Sequence, residues 1–180
     1  MKPPTSDLII RRVGPQDDLS ALTELIHAAY APHAAQGLRY WGTHQSVEDT
    51  AKRLQSGLAW LMLQGSKYVG TATLRPPQPE SPVSLYRQVG VHSLAQFCVC
   101  PSKKGAGLGK ALHGHVLAAA QELGAQGIAL DTARPATALI RLYESWGYKV
   151  VGQCDWRPHT NYESVVMYRA LSMASAENAA

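Results

Sequence analysis

The clearest chemistry in the chain lies in the run Ser102-Lys103-Lys104-Gly105-Ala106-Gly107-Leu108-Gly109-Lys110. It follows the apolar stretch Phe97-Cys98-Val99-Cys100 and Pro101, and leads into a segment with Leu108, Ala111, Leu112, His115, Val116, Ala119 and Leu123 at helical spacing. The order is strand, glycine-rich turn, helix start. That order points unpaired amide N–H groups and the positive end of a helix dipole at one place, which suits a pyrophosphate. Glycine lets the backbone approach closely, and Lys103, Lys104 and Lys110 add positive charge. Two other phosphate-binding patterns fail on spacing. A nucleoside-triphosphate loop needs glycine where Lys104 stands and Ser or Thr where Ala111 stands, and a dinucleotide fingerprint needs glycine in place of Lys110.

Other reactive side chains are less organised. Cys98 and Cys100 lie two apart on the expected strand without evident His or Asp partners, so neither is assigned as a nucleophile. The 7 histidines are scattered, and His113 and His115 point in different directions from one helix, so no metal site is expected. Tyr143 shares a helical face with Leu139, Leu142 and Trp146, a spacing that equally describes a core tyrosine.

The elements that position these residues follow from periodicity and punctuation. Leu8–Arg12 reads as a strand. Asp17, Asp18 and Ser20 start a helix through about Tyr30, ended by Pro32, and an aromatic loop runs to Thr43. Ser46 and Asp49 resemble a capping box for a helix to Gln55. Leu58–Leu63 and Lys67–Leu74 form a hairpin, and the proline-rich 75–84 stretch is an exposed loop. Strand 91–100, helix 107–123, strand 127–132, helix 136–146 and strands 149–154 and 164–171 complete a mixed α/β sheet. A single domain over 8–171 is expected, between a flexible 1–7 terminus and a frayed 172–180 tail.

Composition is that of an ordinary globular chain: 180 residues, 46% hydrophobic and 17% charged, without an apolar stretch long enough to cross a bilayer. The net charge of +4 suits an anionic ligand but lacks the dense basic stripe of a nucleic-acid face. The N-terminus has no signal-peptide pattern, and 3 cysteines give no disulfide framework, so the cytoplasm is the expected setting.

The turn and a second segment together resemble the GNAT N-acetyltransferase superfamily. Its central motif, a strand ending in Val-x-Pro followed by Arg/Gln-x-x-Gly-x-Gly/Ala, is matched by Val99-Cys100-Pro101 and Lys104 to Gly109, with Lys104 in the place of Arg or Gln. Its later helix, approximately Ala-x-x-Leu-Tyr-Glu-x-x-Gly-Phe, is matched by Leu139 to Tyr148, with Ala136 where Asn often stands.

The resemblance implies a mixed, mostly antiparallel central sheet flanked by helices, and acetyl-CoA as co-substrate without a metal. Pantetheine would lie along Phe97, Cys98 and Val99, and the pyrophosphate on Lys104, Gly105, Ala106, Gly107, Leu108, Gly109 and Lys110. Tyr143 would protonate the departing thiolate after direct attack by an amine, and a backbone N–H near Val99 would hold the oxyanion. The strand glutamate of the family is replaced by Ser93, leaving His92, through water, or Asp131 as proton acceptor. Tyr30, Tyr40 and Trp41, with His33 and His44, would flank the acceptor, and the 156–162 segment would close the other side. A small-molecule or peptide amine is the expected partner; no nucleic acid or membrane is expected, and a homodimer is compatible. The missing glutamate leaves one alternative, a non-catalytic acyl-CoA sensor.

Overall fold

A computed structural model of the chain describes residues 8–172; the expected flexible 1–7 terminus and all but residue 172 of the expected frayed tail lie outside the described residues. Seven strands form one sheet in the order β1-β2-β3-β4-β5-β7-β6: β1 Leu8–Arg12, β2 Leu58–Gln64, β3 Lys67–Arg75, β4 Val91–Val99, β5 Gly127–Ala133, β6 Lys149–Asp155 and β7 Glu163–Ala170. Every neighbouring pair is antiparallel except β4 and β5. The sheet is therefore mixed and mostly antiparallel, with helices on both faces.

Local chemistry sets the helix starts. Asp18 caps α1 (Leu19–Ala35) by accepting from the Ser20 and Ala21 amides, and Ser46 and Asp49 close both bonds of a capping box on α2 (Val47–Gln55). The expectation that Pro32 ends α1 is corrected, since the helix runs three residues further. The ring forfeits only the bond to the carbonyl of Ala28, which is exposed and open to water. The true stop is Gly37, whose φ of +80° turns the Leu38 amide back onto the His33 carbonyl, which also accepts from the Gln36 amide. The loops after it are also more ordered than expected. Trp41–Thr43 is a turn of 3₁₀ helix, and Ser84–Arg87 (α3) interrupts the proline-rich segment.

Two cores sandwich the sheet. On one face α4 (Leu108–Glu122) and α5 (Thr137–Ser145) bury Leu112, Val116 and Tyr143 against Met62, Leu74, Leu94, Ile128, Leu130 and Met167. On the other, Leu22, Leu25 and Ile26 of α1 and Leu54 of α2 cover Ala59, Leu61 and Cys98.

The feature that opens a site is the middle of β4. Parallel pairing with β5 covers only Val91, His92 and Ser93, whereas β5 stays paired to β7 throughout. Beyond Ser93 the two central strands diverge, and the β5-facing edge of Leu94 to Val99 has no strand partner. On the β3 side the register slips between Ala95 and Cys98, with Gln96 at φ +50°. A left-handed glutamine costs about 1 kcal/mol or more and persists only where its surroundings impose it.

Candidate active site

Several polar struts hold the bulge. Gln45, 1% exposed, donates from Nε2 to Gln96 Oε1 (2.8 Å) and to Thr50 Oγ1 (2.7 Å), while its own Oε1 accepts from Arg53 Nη1 (2.7 Å). Tyr30 Oη donates to the Phe97 carbonyl (3.0 Å). The Tyr30 ring has room because residue 42 is glycine: a Cβ there would lie 2.5 Å from it.

A cavity of about 1310 Å³ runs along the opened edge. At the end of β4 its wall is the glycine-rich turn, including Lys103, Lys104, Gly107, Gly109 and Lys110. Gly105 and Gly107 have φ of +81° and +78°, and Gly107 is the N-cap of α4 with no side-chain cap. The amides of Gly105, Gly107, Leu108, Gly109 and Lys110 have no acceptor among the described residues. The turn therefore offers a fan of N–H donors at a helix N-terminus, a chemistry matched to a pyrophosphate.

In the middle of the cavity lie Phe97, Cys98, Val99, Tyr143 and Trp146. Cys98 points into the α1/α2 core, where burial pushes its thiol up to about 12, so it is a packing residue whose backbone, not its sulfur, faces the opening. Tyr143 is 7% exposed and packs edge-on to Trp146 (5.8 Å) and Tyr148 (5.9 Å). Burial raises its phenol pKa, so it keeps its proton at neutral pH.

Beyond the bulge the same cavity continues as a chamber with Asp131, Tyr86, Gln78, Trp156, Arg53 and Arg75 on its walls. Asp131 accepts from Tyr86 Oη (2.5 Å) and Trp156 Nε1 (2.9 Å). Burial raises its pKa, opposed by those two bonds and by Arg53 and Arg75.

The structure brings most of the expected site residues to this one cavity, but not Ala106, whose amide is spent on the Lys103 carbonyl, and not His92. His92 lies in the part of β4 still paired to β5, before the two strands diverge, and does not line the cavity. Its Nδ1 is buried with no partner among the described residues, and burial lowers its pKa. Asp131, the other base candidate, is in the chamber. Tyr30 lines the cavity while bracing the bulge; Tyr40 lines it with its hydroxyl on Thr132 Oγ1 (2.9 Å), and Trp41 lines it against His159 (4.8 Å). His33 borders it, whereas His44 packs against Trp41 with tilted rings 5.6 Å apart and does not line it. Sequence reasoning missed Arg53, Arg75, Gln78 and Tyr86. A signal for Tyr86 was present in the proline-free run Ser84–Arg87, the part of that segment able to form a turn of helix.

Among the described residues no group of histidine, cysteine and carboxylate side chains could hold a metal, and no helix is long and apolar enough to cross a membrane.

Comparison with known proteins bears on the same features. The curated S-(2-succino)cysteine N-acetyltransferase of Bacillus subtilis (strain 168) is 29% identical over 148 residues, covering 80% of this chain and 86% of that protein. The ribosomal-protein-S18-alanine N-acetyltransferase of Escherichia coli superposes with a TM-score of 0.71 at 19% identity, over 97% of this chain and 100% of that one. A GNAT family acetyltransferase from Elizabethkingia anophelis, solved with acetyl-CoA bound, superposes with a TM-score of 0.65 at 14% identity, over 92% and 99%. These two structures share the fold. The model of the acetyltransferase (GNAT) family matches residues 20–148, from the first turn of α1 to the glycine and tyrosine that follow α5, and the chain belongs to that family.

Proposed function

We propose that the chain transfers an acetyl group from acetyl-CoA to a primary amine by direct attack, with the pyrophosphate on the turn and the thioester beside the Gln96 bulge. The observation that carries this reading is the coincidence, in one cavity, of the free turn amides, the unpaired β4 edge and a protonated phenol. Phe97 to Val99 would pair with the pantetheine amides as an added strand does. An alkyl ammonium must first lose a proton, and Asp131 is the carboxylate in the chamber able to take it, directly or through water. A carboxylate whose pKa is raised by burial is a stronger base than one in water. The amine nitrogen then bonds to the thioester carbon, and a backbone N–H near Val99 holds the oxygen that becomes negative. As the C–S bond breaks, the sulfur takes its proton from Tyr143, and the second proton lost by the attacking nitrogen restores the phenol through water. The balance is one ammonium and one thioester giving one amide, one free thiol and one proton released to solvent. The Bacillus subtilis relative is named for acetyl transfer to nitrogen, the same bond formation.

The test is free-thiol release from acetyl-CoA against a panel of primary amines, with mass spectrometry of the products. Amine-dependent thiol release with one acetyl added to the amine is the expected result. Acetyl-CoA binding without thiol release for any amine would replace the transferase with a sensor of acyl-CoA.

A further inference from the structure

The chamber carries two cations that acetyl transfer by itself does not need. Arg53 on α2 and Arg75 at the end of β3 are both partly buried in its wall. Arg53 uses Nη1 on Gln45 Oε1 (2.7 Å), and Arg75 uses Nε on Ser56 Oγ (2.8 Å). The ion pairs among the described residues are Arg11–Asp17, Arg134–Glu163 and Arg157–Asp155, so neither chamber arginine has a carboxylate partner. Arg53 Nε and Nη2, and both terminal nitrogens of Arg75, have no acceptor among the described residues. A guanidinium cannot shed its charge, and withdrawing one partly from water without an anion is unfavourable.

Cofactor phosphates do not account for these cations. Arg75 is opposite Ser93, and Val99 at the turn end of β4 is opposite Gly70. The span from Ser93 to Val99 is roughly 20 Å along the strand. Lys103, Lys104 and Lys110 already serve the turn. The one carboxylate on β5 facing the chamber, Asp131, has both oxygens engaged by the neutral donors Tyr86 and Trp156. Two forks of unpaired donors and Asp131 thus face one cavity with aromatic residues in its walls, whose other carboxylate, Asp49, is engaged by the Ser46 amide in the α2 capping box.

The complement of that arrangement is a zwitterion. We infer that the acceptor is a small amine that also carries a carboxylate, an amino acid being the simplest form, with its amino group toward Asp131 and its carboxylate on Arg53 and Arg75. This rests on the transferase reading and narrows its substrate class. Guanidinium forks take carboxylates in bidentate geometry, and loss of one such charged contact lowers affinity by about tenfold or more.

The experiment uses the whole protein and matched pairs: each of a panel of amino acids and the amine left when its carboxylate is removed. The expected result is acetylation of at least one amino acid with kcat/KM at least about tenfold above that of its decarboxylated partner. In Arg75→Gln that preference falls toward unity while acetyl-CoA affinity, measured by calorimetry as a check on folding, is retained. Decarboxylated amines acetylated as well as the amino acids would overturn the inference and leave the transferase standing. A turnover-independent arm separates the opposite failure, by titrating N-acetyl amino acids and the matching N-acetyl amines into CoA-saturated protein. Selective binding of the N-acetyl amino acids without any transfer would overturn the transferase reading and support the anion site. Equal binding, or no binding, of the two sets in the absence of transfer would overturn the inference.

Discussion

Replacing Tyr143 with Phe isolates one oxygen atom. The ring contacts with Trp146 and Tyr148 are unaffected by the change, and the Tyr143 hydroxyl makes no hydrogen bond to any described residue, so no partner is left unsatisfied. Stability should therefore change by no more than about 0.5 kcal/mol in either direction. Catalysis is a different matter if the hydroxyl serves the leaving sulfur. A phenol whose pKa is raised by burial is a poor acid toward a thiolate in water, where the parent thiol sits near about 8.5. Burial moves a thiol in the same direction, since in the core on the other face of the sheet it pushes Cys98 to about 12. A thiolate expelled into this space is correspondingly basic and takes the phenol proton as it forms. Removing such a positioned acid slows the reaction by about a hundredfold, equivalent to about 2.7 kcal/mol of transition-state stabilisation. The assay is thiol release at saturating acetyl-CoA, with a single-turnover measurement so that product release does not mask the chemical step. The expected signature is a lowered single-turnover rate with acetyl-CoA affinity within about twofold of the parent. An undiminished single-turnover rate would refute the argument and return Tyr143 to the core as a packing residue.

Other perturbations address the remaining parts of the site and fold. Gly107→Val introduces a Cβ that meets nothing within 4 Å, so its cost to the free protein is the left-handed φ of +78°, about 1–2 kcal/mol; CoA affinity in calorimetry should fall at least about tenfold, and an unchanged Kd would remove the turn as the pyrophosphate site. For Asp131→Asn, the parent protein should lose turnover on the acid side through a limb above the ordinary carboxylate value of 3.8, because burial raises the pKa and the ionised form is the base; the variant should be slower and lack that limb, and its persistence would place the base elsewhere. Asp17 is held down to about 2, chiefly by its bond to Arg11, so its contribution to stability is full above its unfolded value near 3.8 and is lost as pH falls toward 2. Denaturant titrations of Asp17→Asn at pH 6 and pH 3 should show a larger deficit at pH 6, and equal deficits would show that the ion pair does not contribute.

What the sequence made legible was what neighbours in the chain determine. The turn is announced by its glycines and lysines, the helix starts by Asp18 and the Ser46/Asp49 box, and the strands by their apolar runs, because each depends on residues only a few positions apart. What stayed hidden depends on pairings remote in sequence. Pro32 reads as a stop only if the next residues cannot fold back, and the bonds onto His33 that let them do so depend on Gly37. Arg53 and Arg75 look like a surface helix cation and the first residue of a loop until α2 and β3 bring them to one chamber. His92 was the expected base in the sequence and Asp131 the second candidate, and strand pairing separates them: His92 lies where β4 is still paired to β5, and Asp131 lines the cavity. The bulge is the sharpest case, since it is built on a glutamine where local propensity would ask for glycine.

That glutamine explains why fold and site cannot be specified independently here. A glycine at position 96 would adopt the same φ with less strain, but it would carry no side chain for Gln45 to hold. With glutamine, the strained residue is tied to Gln45, and Gln45 is tied in turn to Thr50 and Arg53. One buried amide therefore fixes both the opening of β4, along which the thioester would lie, and the guanidinium proposed to receive the acceptor. Tyr30 adds a second tie, from α1 to the carbonyl beside the bulge, and needs Gly42 to make room for its ring. The distance between the donor channel and the acceptor chamber is thus set by side chains from the region between α1 and α2 and from those helices themselves, not by the sheet alone. Transfer between two bound substrates requires their reacting atoms to be held near about 3–3.5 Å, and a polar frame shared by both halves of the cavity would serve the proposed reaction in that way.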